Sequence, residues 1–145
     1  MIGMVLVTHR GVAAELLTVL NEIVGPQPQT KAIGIGPEDD MEKCRDAILT
    51  AIKEVNAGKG VILLTDMFGG TPSNLAIAAM PRTNAIVLAG VNLPMLVKLA
   101  SVRGTMPLLD AGREAETAGR KYIAAASHVL PHCKIPPTKL NGSGG

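Results

Sequence analysis

Four short apolar runs recur along the chain, and none of them alternates polar with apolar positions. They occupy residues 2–7, 32–35, 61–64 and 85–89. A strand with one face in water alternates, so continuous runs of this length predict strands that are buried on both faces. Such strands are typical of a parallel sheet that is covered by helices on its two sides.

Between these runs, apolar residues recur at the spacing of a helix. One stripe is followed by Gly25 and Pro26 and a second by Gly58, and glycine and proline at such positions commonly end helices. Both segments are therefore predicted to be amphipathic helices. The two stripes consist of Val12, Leu16, Leu20, Ile23 and Val24, and of Met41, Cys44, Ile48, Ile52 and Val55.

Several residues indicate where helices begin. Asp39 and, three positions later, Glu42 form the pattern of a capping box before the second helix. A third helix is predicted to start with Thr71 as its N-cap and Pro72 as its first residue, since proline lacks the N–H that would be unpaired there.

Two further helices are predicted after the last apolar run. One starts near Asn92, with Pro94 in its first turn, and the other starts near Asp110. The second of these is expected to direct one set of side chains inward, namely Ala115, Ala118, Tyr122 and Ala126.

The alternation of strands and helices predicts the fold class. It favours an α/β fold, a single-domain, doubly wound, mainly parallel sheet with helices on both faces. A chain of 145 residues has room for one ordinary domain. We expect that domain to cover residues 1–130. Residues 131–145 are rich in Pro, Gly and Ser and are predicted to form an extended tail.

Composition excludes several functional classes. With 47% hydrophobic residues the chain is not disordered, and with 1% aromatic residues it lacks platforms for stacking bases. The net charge of +2 without a basic run gives no support to nucleic-acid or membrane-surface binding. The two cysteines form no CxxC pair, and no apolar run is long enough to span a bilayer or serve as a signal peptide. We therefore expect a cytoplasmic protein that does not insert into membranes.

Candidate chemistry lies where the apolar runs end. In parallel sheets, ligands bind beyond the carboxyl ends of the strands. His9 follows the first run and Asp66 the third, so the two meet if these strands are neighbours. Gly69 and Gly70 then form a turn before the helix at Thr71, and their N–H groups with the helix N-terminus suit an anion such as phosphate.

Other binding sites have weaker support. Gly58-Lys59-Gly60 lacks the remaining residues of a P-loop, which argues against a nucleotide-binding protein. His128 and His132 lie four residues apart beside Cys133, but Pro131 interrupts the helix that would align them. A solvated helix end is the better interpretation there, and neither a metal nor another cofactor is expected.

Three stretches of the sequence resemble a known family. They are MIGMVLVTH at residues 1–9, LTDMFGGTPSN at residues 64–74 and GVNLPM at residues 90–95. All three are similar to the enzyme IIA domain of the mannose family, which belongs to the bacterial phosphoenolpyruvate-dependent sugar phosphotransferase system. The resemblance covers about residues 1–128 of the chain.

The resemblance implies a function and a set of partners. It implies that His9 accepts a phosphoryl group from phosphorylated HPr and passes it to an enzyme IIB component, that Asp66 orients His9, and that the protein is a homodimer. Backbone N–H groups of Gly69 and Gly70, with the Thr71 hydroxyl, are expected to hold the phosphoryl oxygens. A regulatory module, whose His9 phosphorylation state controls binding of a regulatory partner, would use the same residues, so both possibilities stay open.

Overall fold

The computed structural model describes residues 1–130, in which strands and helices alternate as far as the fourth helix and two further helices follow. The strands are β1 (Gly3–His9), β2 (Thr30–Ile35), β3 (Val61–Thr65) and β4 (Ala85–Ala89). The helices are α1 (Val12–Val24), α2 (Met41–Val55), α3 (Thr71–Ala79), α4 (Leu93–Val102), α5 (Leu108–Lys121) and α6 (Ala126–Val129), with a 3₁₀ turn at Met80–Arg82. The predicted tail lies outside the described residues.

The four strands form one parallel sheet in the order β2-β1-β3-β4. At the centre of this sheet Leu6 of β1 lies opposite Ala32 of β2 and Leu64 of β3. The strand order reverses direction beside β1, because β2 lies on one side of it and β3 on the other. The predicted α/β fold with a doubly wound parallel sheet is confirmed, and β1 and β3 are its central neighbours.

Each face of the sheet carries its own core. Val5 and Val7 of β1 pack in the cluster that contains α2 and α3, whereas Met4 and Leu6 pack in the cluster with α1, α4 and α5. All four side chains are fully buried. The continuous apolar run in β1 therefore reflects burial on both faces, and it holds the carboxyl end of the strand in a rigid frame.

The edge strands are more exposed than their apolar runs predict. In β2 only Ile35 is buried, while Lys31, Ala32 and Gly34 are exposed. The prediction of burial on both faces is thus wrong for β2, since a strand at the edge of the sheet is only partly covered by the helices. The strand β4, at the opposite edge, is buried at Ala85 and half-buried over the rest of its length.

The helix starts agree with the sequence at one position and differ at another. Asn92 caps α4, with its side-chain oxygen accepting from the Met95 amide at 3.0 Å. At α2, however, Asp40 is the N-cap and accepts from the amides of the next turn, while Asp39 instead accepts from the Gly36 amide at 2.7 Å. The capping box predicted from Asp39 is therefore wrong, because this aspartate holds the preceding turn.

The last long helix starts and ends differently from its prediction. It begins at Leu108, two residues before Asp110, and its face toward the sheet includes the buried Ala115 and Ala118. Tyr122, which the pattern placed inward, is 63% exposed because the helix has ended at the preceding residue. Ala126 is exposed in the short helix α6, so its predicted inward position is also wrong.

A buried arginine closes the amino edge of the sheet. Arg103, at the end of α4, is 2% exposed. Its guanidinium donates to the Ile2 carbonyl at 3.0 Å, to the Gln27 side chain at 3.1 Å and to the Pro28 carbonyl at 2.6 Å. These bonds join the start of β1 to the connection between α1 and β2. The buried guanidinium at the amino edge therefore has a structural role, because its hydrogen bonds hold two separate segments together.

Candidate active site

The register of β1 against β3 brings His9 and Asp66 together. Val7 is paired with Thr65, so both chains leave the sheet at the same level. The His9 amide donates to Asp66 Oδ2 at 3.0 Å, and His9 Nδ1 lies 2.9 Å from the same oxygen. The backbone and the ring of His9 thus contact the same carboxylate oxygen of a residue that lies 57 positions away in the sequence.

The Asp66 carboxylate is held in its ionised form. Partial burial raises the pKa of Asp66, but hydrogen bonds from the His9 backbone and ring lower it by more than burial raises it. The pKa of Asp66 therefore lies below the usual 3.8. The second oxygen, Oδ1, accepts from the Met67 amide at 3.1 Å. An ionised carboxylate only accepts hydrogen bonds, so Nδ1 of His9 is the donor. The lone pair of the neutral ring is then on Nε2.

The Nε2 edge of the His9 ring packs against the backbone of Gly70. A β-carbon built on Gly70 would lie 2.8 Å from His9 Cε1, closer than such atoms approach, and 3.1 Å from Nε2, which is tighter than most such contacts. The His9 side chain is nevertheless 48% exposed, so Nε2 remains accessible to a reaction partner. Gly70 therefore makes room for the ring, a steric role that the sequence pattern did not predict.

The loop after Asp66 places the N-terminus of α3 beside this ring edge. Gly69 has φ +89°, a conformation that favours glycine, and Gly70 is the N-cap. Thr71 is the first helical residue, which corrects its prediction as the N-cap. No other residue within 1–130 accepts a hydrogen bond from the amides of Gly69, Gly70 or Thr71. These N–H groups and the positive end of the helix dipole suit an anion at Nε2.

Two residues that flank His9 were not predicted to matter. The buried Thr8 hydroxyl accepts from the Ala13 amide at 2.7 Å and so satisfies one of the free N–H groups at the start of α1. Arg10 turns the chain with φ +40°, and its amide donates to the Ile35 carbonyl at 3.0 Å. Both contacts fix the backbone on either side of His9 and hence the position of its ring.

Exposed apolar side chains surround the site. Met67 and Phe68, directly after Asp66, are 59% and 62% exposed. Phe68 also lines a cleft of about 340 Å³ between the end of β4 and α5, where Ile123 is exposed as well. Large apolar side chains that cluster in water commonly mark a surface that contacts another protein.

The described part of the chain contains no constellation for a metal ion. Among residues 1–130, no three His, Cys, Asp or Glu side chains lie close enough together to bind one. His128 lies in α6, whereas His132 and Cys133 fall outside the described residues. Over the same range, none of the helices has the length and apolar character needed to cross a membrane.

Residues 3–128 match the family described as PTS system fructose IIA component. The chain is also 31% identical to the PTS system mannose-specific EIIAB component of Escherichia coli (strain K12), in an alignment that covers 97% of this chain and 48% of that protein. The chain thus spans about half the length of this relative.

Two solved structures share the fold of the chain. The phosphotransferase system component EIIA from Streptococcus agalactiae superposes with a TM-score of 0.80 at 26% identity, covering 88% of this chain and 99% of that one. The mannose/sorbose specific IIA subunit from Enterococcus faecalis superposes with a TM-score of 0.76 at 26% identity, covering 86% and 93%.

The Asp66–His9 pair predicts how stability depends on pH. Because the pKa of Asp66 is lower in the folded protein than its usual 3.8, the carboxylate stabilises the fold above that pH. This contribution should disappear as the pH falls from 3.8 through the folded pKa. The difference in unfolding free energy between wild type and Asp66→Asn, measured by urea titration, should therefore shrink below pH 3.8.

Asp46→Asn removes an exposed carboxylate on α2 and controls for the loss of one charge. A difference between wild type and Asp66→Asn that stays constant until the protein unfolds in acid would contradict the assignment of a lowered pKa to Asp66.

Proposed function

Because the chain belongs to the family of IIA components of the sugar phosphotransferase system, we propose that it is a histidine phosphocarrier. In this proposal His9 accepts a phosphoryl group from phosphorylated HPr and passes it to an enzyme IIB component. The observation that carries the proposal is the 2.9 Å contact between His9 Nδ1 and Asp66, which leaves the Nε2 edge facing Gly70 and the free amides around it.

Each step of the proposed transfer uses a group that is already in place. The Nε2 lone pair of His9 attacks phosphorus, a P–N bond forms, and the bond from phosphorus to the donor breaks with its electron pair leaving on the donor. The ring becomes cationic, and the Asp66 carboxylate on Nδ1–H stabilises that charge. The amides of Gly69, Gly70 and Thr71 donate hydrogen bonds to the phosphoryl oxygens, since phosphoryl transfer depends mainly on positioning and charge stabilisation.

Delivery to the acceptor reverses these changes. A nucleophile on enzyme IIB attacks phosphorus, the P–N bond to His9 breaks, and the ring recovers its lone pair and its neutral form. The Nδ1 proton stays on the ring throughout, because the ionised Asp66 only accepts from it. No proton therefore has to enter or leave the His9–Asp66 pair during either step.

Protein partners fit the surroundings of His9 better than a small substrate does. His9 is half exposed at the rim of the sheet, and Met67 and Phe68 present apolar side chains next to it. Such a surface supports docking of HPr and of enzyme IIB in turn. The name of the Escherichia coli relative joins an A and a B component in one protein, which is consistent with enzyme IIB as the acceptor. We place this exchange in the cytoplasm.

The phosphorylated residue is tested by replacement of single histidines. His9→Ala should abolish phosphoryl incorporation, because it removes the nucleophile. The protein is incubated with phosphoenolpyruvate, enzyme I and HPr, and its intact mass is measured by mass spectrometry. His128→Ala and His132→Ala are the matched controls and should keep the label.

Label on His9→Ala would contradict the assignment of His9. Wild type that accepts the group but does not discharge it to enzyme IIB would support the regulatory function instead of the carrier function.

The positioning of the ring is tested at Asp66 and Gly70. Asp66→Asn removes a charge-assisted hydrogen bond, worth about 1.5–3 kcal/mol, and should slow transfer from phosphorylated HPr roughly tenfold to a hundredfold. Gly70→Ala should also slow transfer, because its β-carbon displaces the ring. Gly104→Ala is the matched control, since no atom lies within 4 Å of its added β-carbon. The transfer rate of each of the three variants is measured by rapid-quench kinetics, and thermal melts show that each is folded.

A folded Asp66→Asn or Gly70→Ala variant that transfers at the wild-type rate would show that the replaced residue does not position His9.

We further propose that the protein is a homodimer. The outer edge of β4 is paired with no other strand of residues 1–130, and Ile123 beside it is 75% exposed. An unpaired edge next to exposed apolar side chains favours contact with a second copy. Sedimentation at micromolar concentration should give about twice the chain mass of 15.0 kDa. A species of 15.0 kDa under these conditions would contradict the dimer.

A further inference from the structure

Arg10, the residue directly after His9, has a backbone conformation that residues with side chains rarely adopt. Its φ is +40°, and among the non-glycine residues of 1–130 only Gln29 also has a positive φ. For an L-residue this conformation costs free energy, because the β-carbon approaches the backbone. Glycine at position 10 would adopt the same φ without that cost.

Strand β2 holds this strained turn in place through two of its residues. The Arg10 amide donates to the Ile35 carbonyl of β2 at 3.0 Å. The Arg10 carbonyl oxygen packs against Gly34, where a β-carbon would overlap it. The φ of Gly34 is not in the left-handed region, so this glycine is needed for space and not for its own conformation. The turn at Arg10 is therefore built into the structure of the site.

No contact of the Arg10 side chain within residues 1–130 offsets the free energy of this strain. The side chain is exposed, and within residues 1–130 its guanidinium makes no hydrogen bond and no ion pair. Two carboxylates at the same edge of the sheet, those of Asp39 and Asp66, are bonded to other groups. An exposed, unpaired cation contributes little to folding, so the fold by itself does not explain an arginine at this position.

Resting on the proposed phosphocarrier function, we propose that Arg10 is a phosphoryl-binding residue that contacts the group carried by His9. The amides of Gly69, Gly70 and Thr71 lie on the β3 side of His9, while the Arg10 backbone lies on its β2 side. In this proposal a phosphoryl group on Nε2 has the amides after β3 on one side and is reached from the other side by Arg10, which follows β1 and whose backbone is bonded to β2. A guanidinium binds phosphate oxygens with a pair of parallel hydrogen bonds, and it offsets the charge that they carry during transfer.

The proposed contact is tested through the pKa of the phosphoryl group, which depends on nearby charge. Wild type, Arg10→Gly and Arg10→Lys are phosphorylated to completion with phosphoenolpyruvate, enzyme I and HPr, and the pKa of the phosphoryl group is measured by ³¹P NMR titration. A nearby cation favours the dianion, so Arg10→Gly should raise this pKa by about one unit. Arg10→Lys keeps a charge without the paired donors and should give an intermediate value. Arg113→Gln, which removes an exposed arginine in the middle of α5, should match wild type.

Kinetics and stability provide independent readouts for the same variants. Arg10→Gly should slow transfer from phosphorylated HPr about tenfold to a hundredfold, the loss expected for one charge-assisted hydrogen bond. Its Tm should equal or exceed that of wild type, because the backbone strain is relieved.

A phosphoryl pKa in Arg10→Gly equal to that of wild type would overturn the proposal. If transfer is slower but the ³¹P titration is unchanged, Arg10 acts in docking of HPr, which also overturns it. A lower Tm would overturn the premise that the side chain has no folding role. Wild type that accepts no phosphoryl group at all would instead refute the phosphocarrier function.

Discussion

The site depends on one constraint, the parallel register of β1 against β3. Because Val7 lies opposite Thr65, the two strands end at the same level, and the next residues of both chains meet outside the sheet. Both strands are buried on their two faces, so neither can slip by a residue without moving apolar side chains into the wrong core. The hydrophobic core, and not the loops, therefore fixes the 2.9 Å contact between His9 and Asp66.

Opposite charges act on the two edges of the His9 ring. Asp66 presents a carboxylate to Nδ1, and α3 presents free N–H groups and the positive end of its dipole near Nε2. The first arrangement stabilises a cationic ring and the second an anion attached to it, which are the two charges that a phosphohistidine carries. Gly70 allows both to act at once, because any larger residue would separate the ring from the helix. In our proposal Arg10, in a strained turn on the other side of His9, adds a cation to this environment on the β2 side.

The two edges of the sheet differ in how they use polar and apolar groups. At the amino edge, the Arg103 guanidinium is buried and donates to the carbonyl groups of Ile2 and Pro28, so this charged group stabilises the fold. At the carboxyl edge, Arg10 is exposed and makes no ion pair within residues 1–130, and Phe68 is exposed as well. Strain and exposed apolar surface, which usually oppose stability, are concentrated where the proposed phosphoryl transfer takes place.

The sequence by itself determined most of the strands and helices of this protein and its candidate site residues. Apolar runs and helical stripes predicted the strands and the longer helices, because buried positions recur with the period of the element that contains them. The ends of the first and third runs gave His9 and Asp66 as candidate site residues. Only the tertiary structure decided that β2 is an exposed edge, that Asp40 and not Asp39 caps α2, and that Gly34 and Gly70 leave space for Arg10 and His9. These features depend on which distant segments become neighbours, and local periodicity carries no information about the separation of atoms that meet only after the sheet has formed.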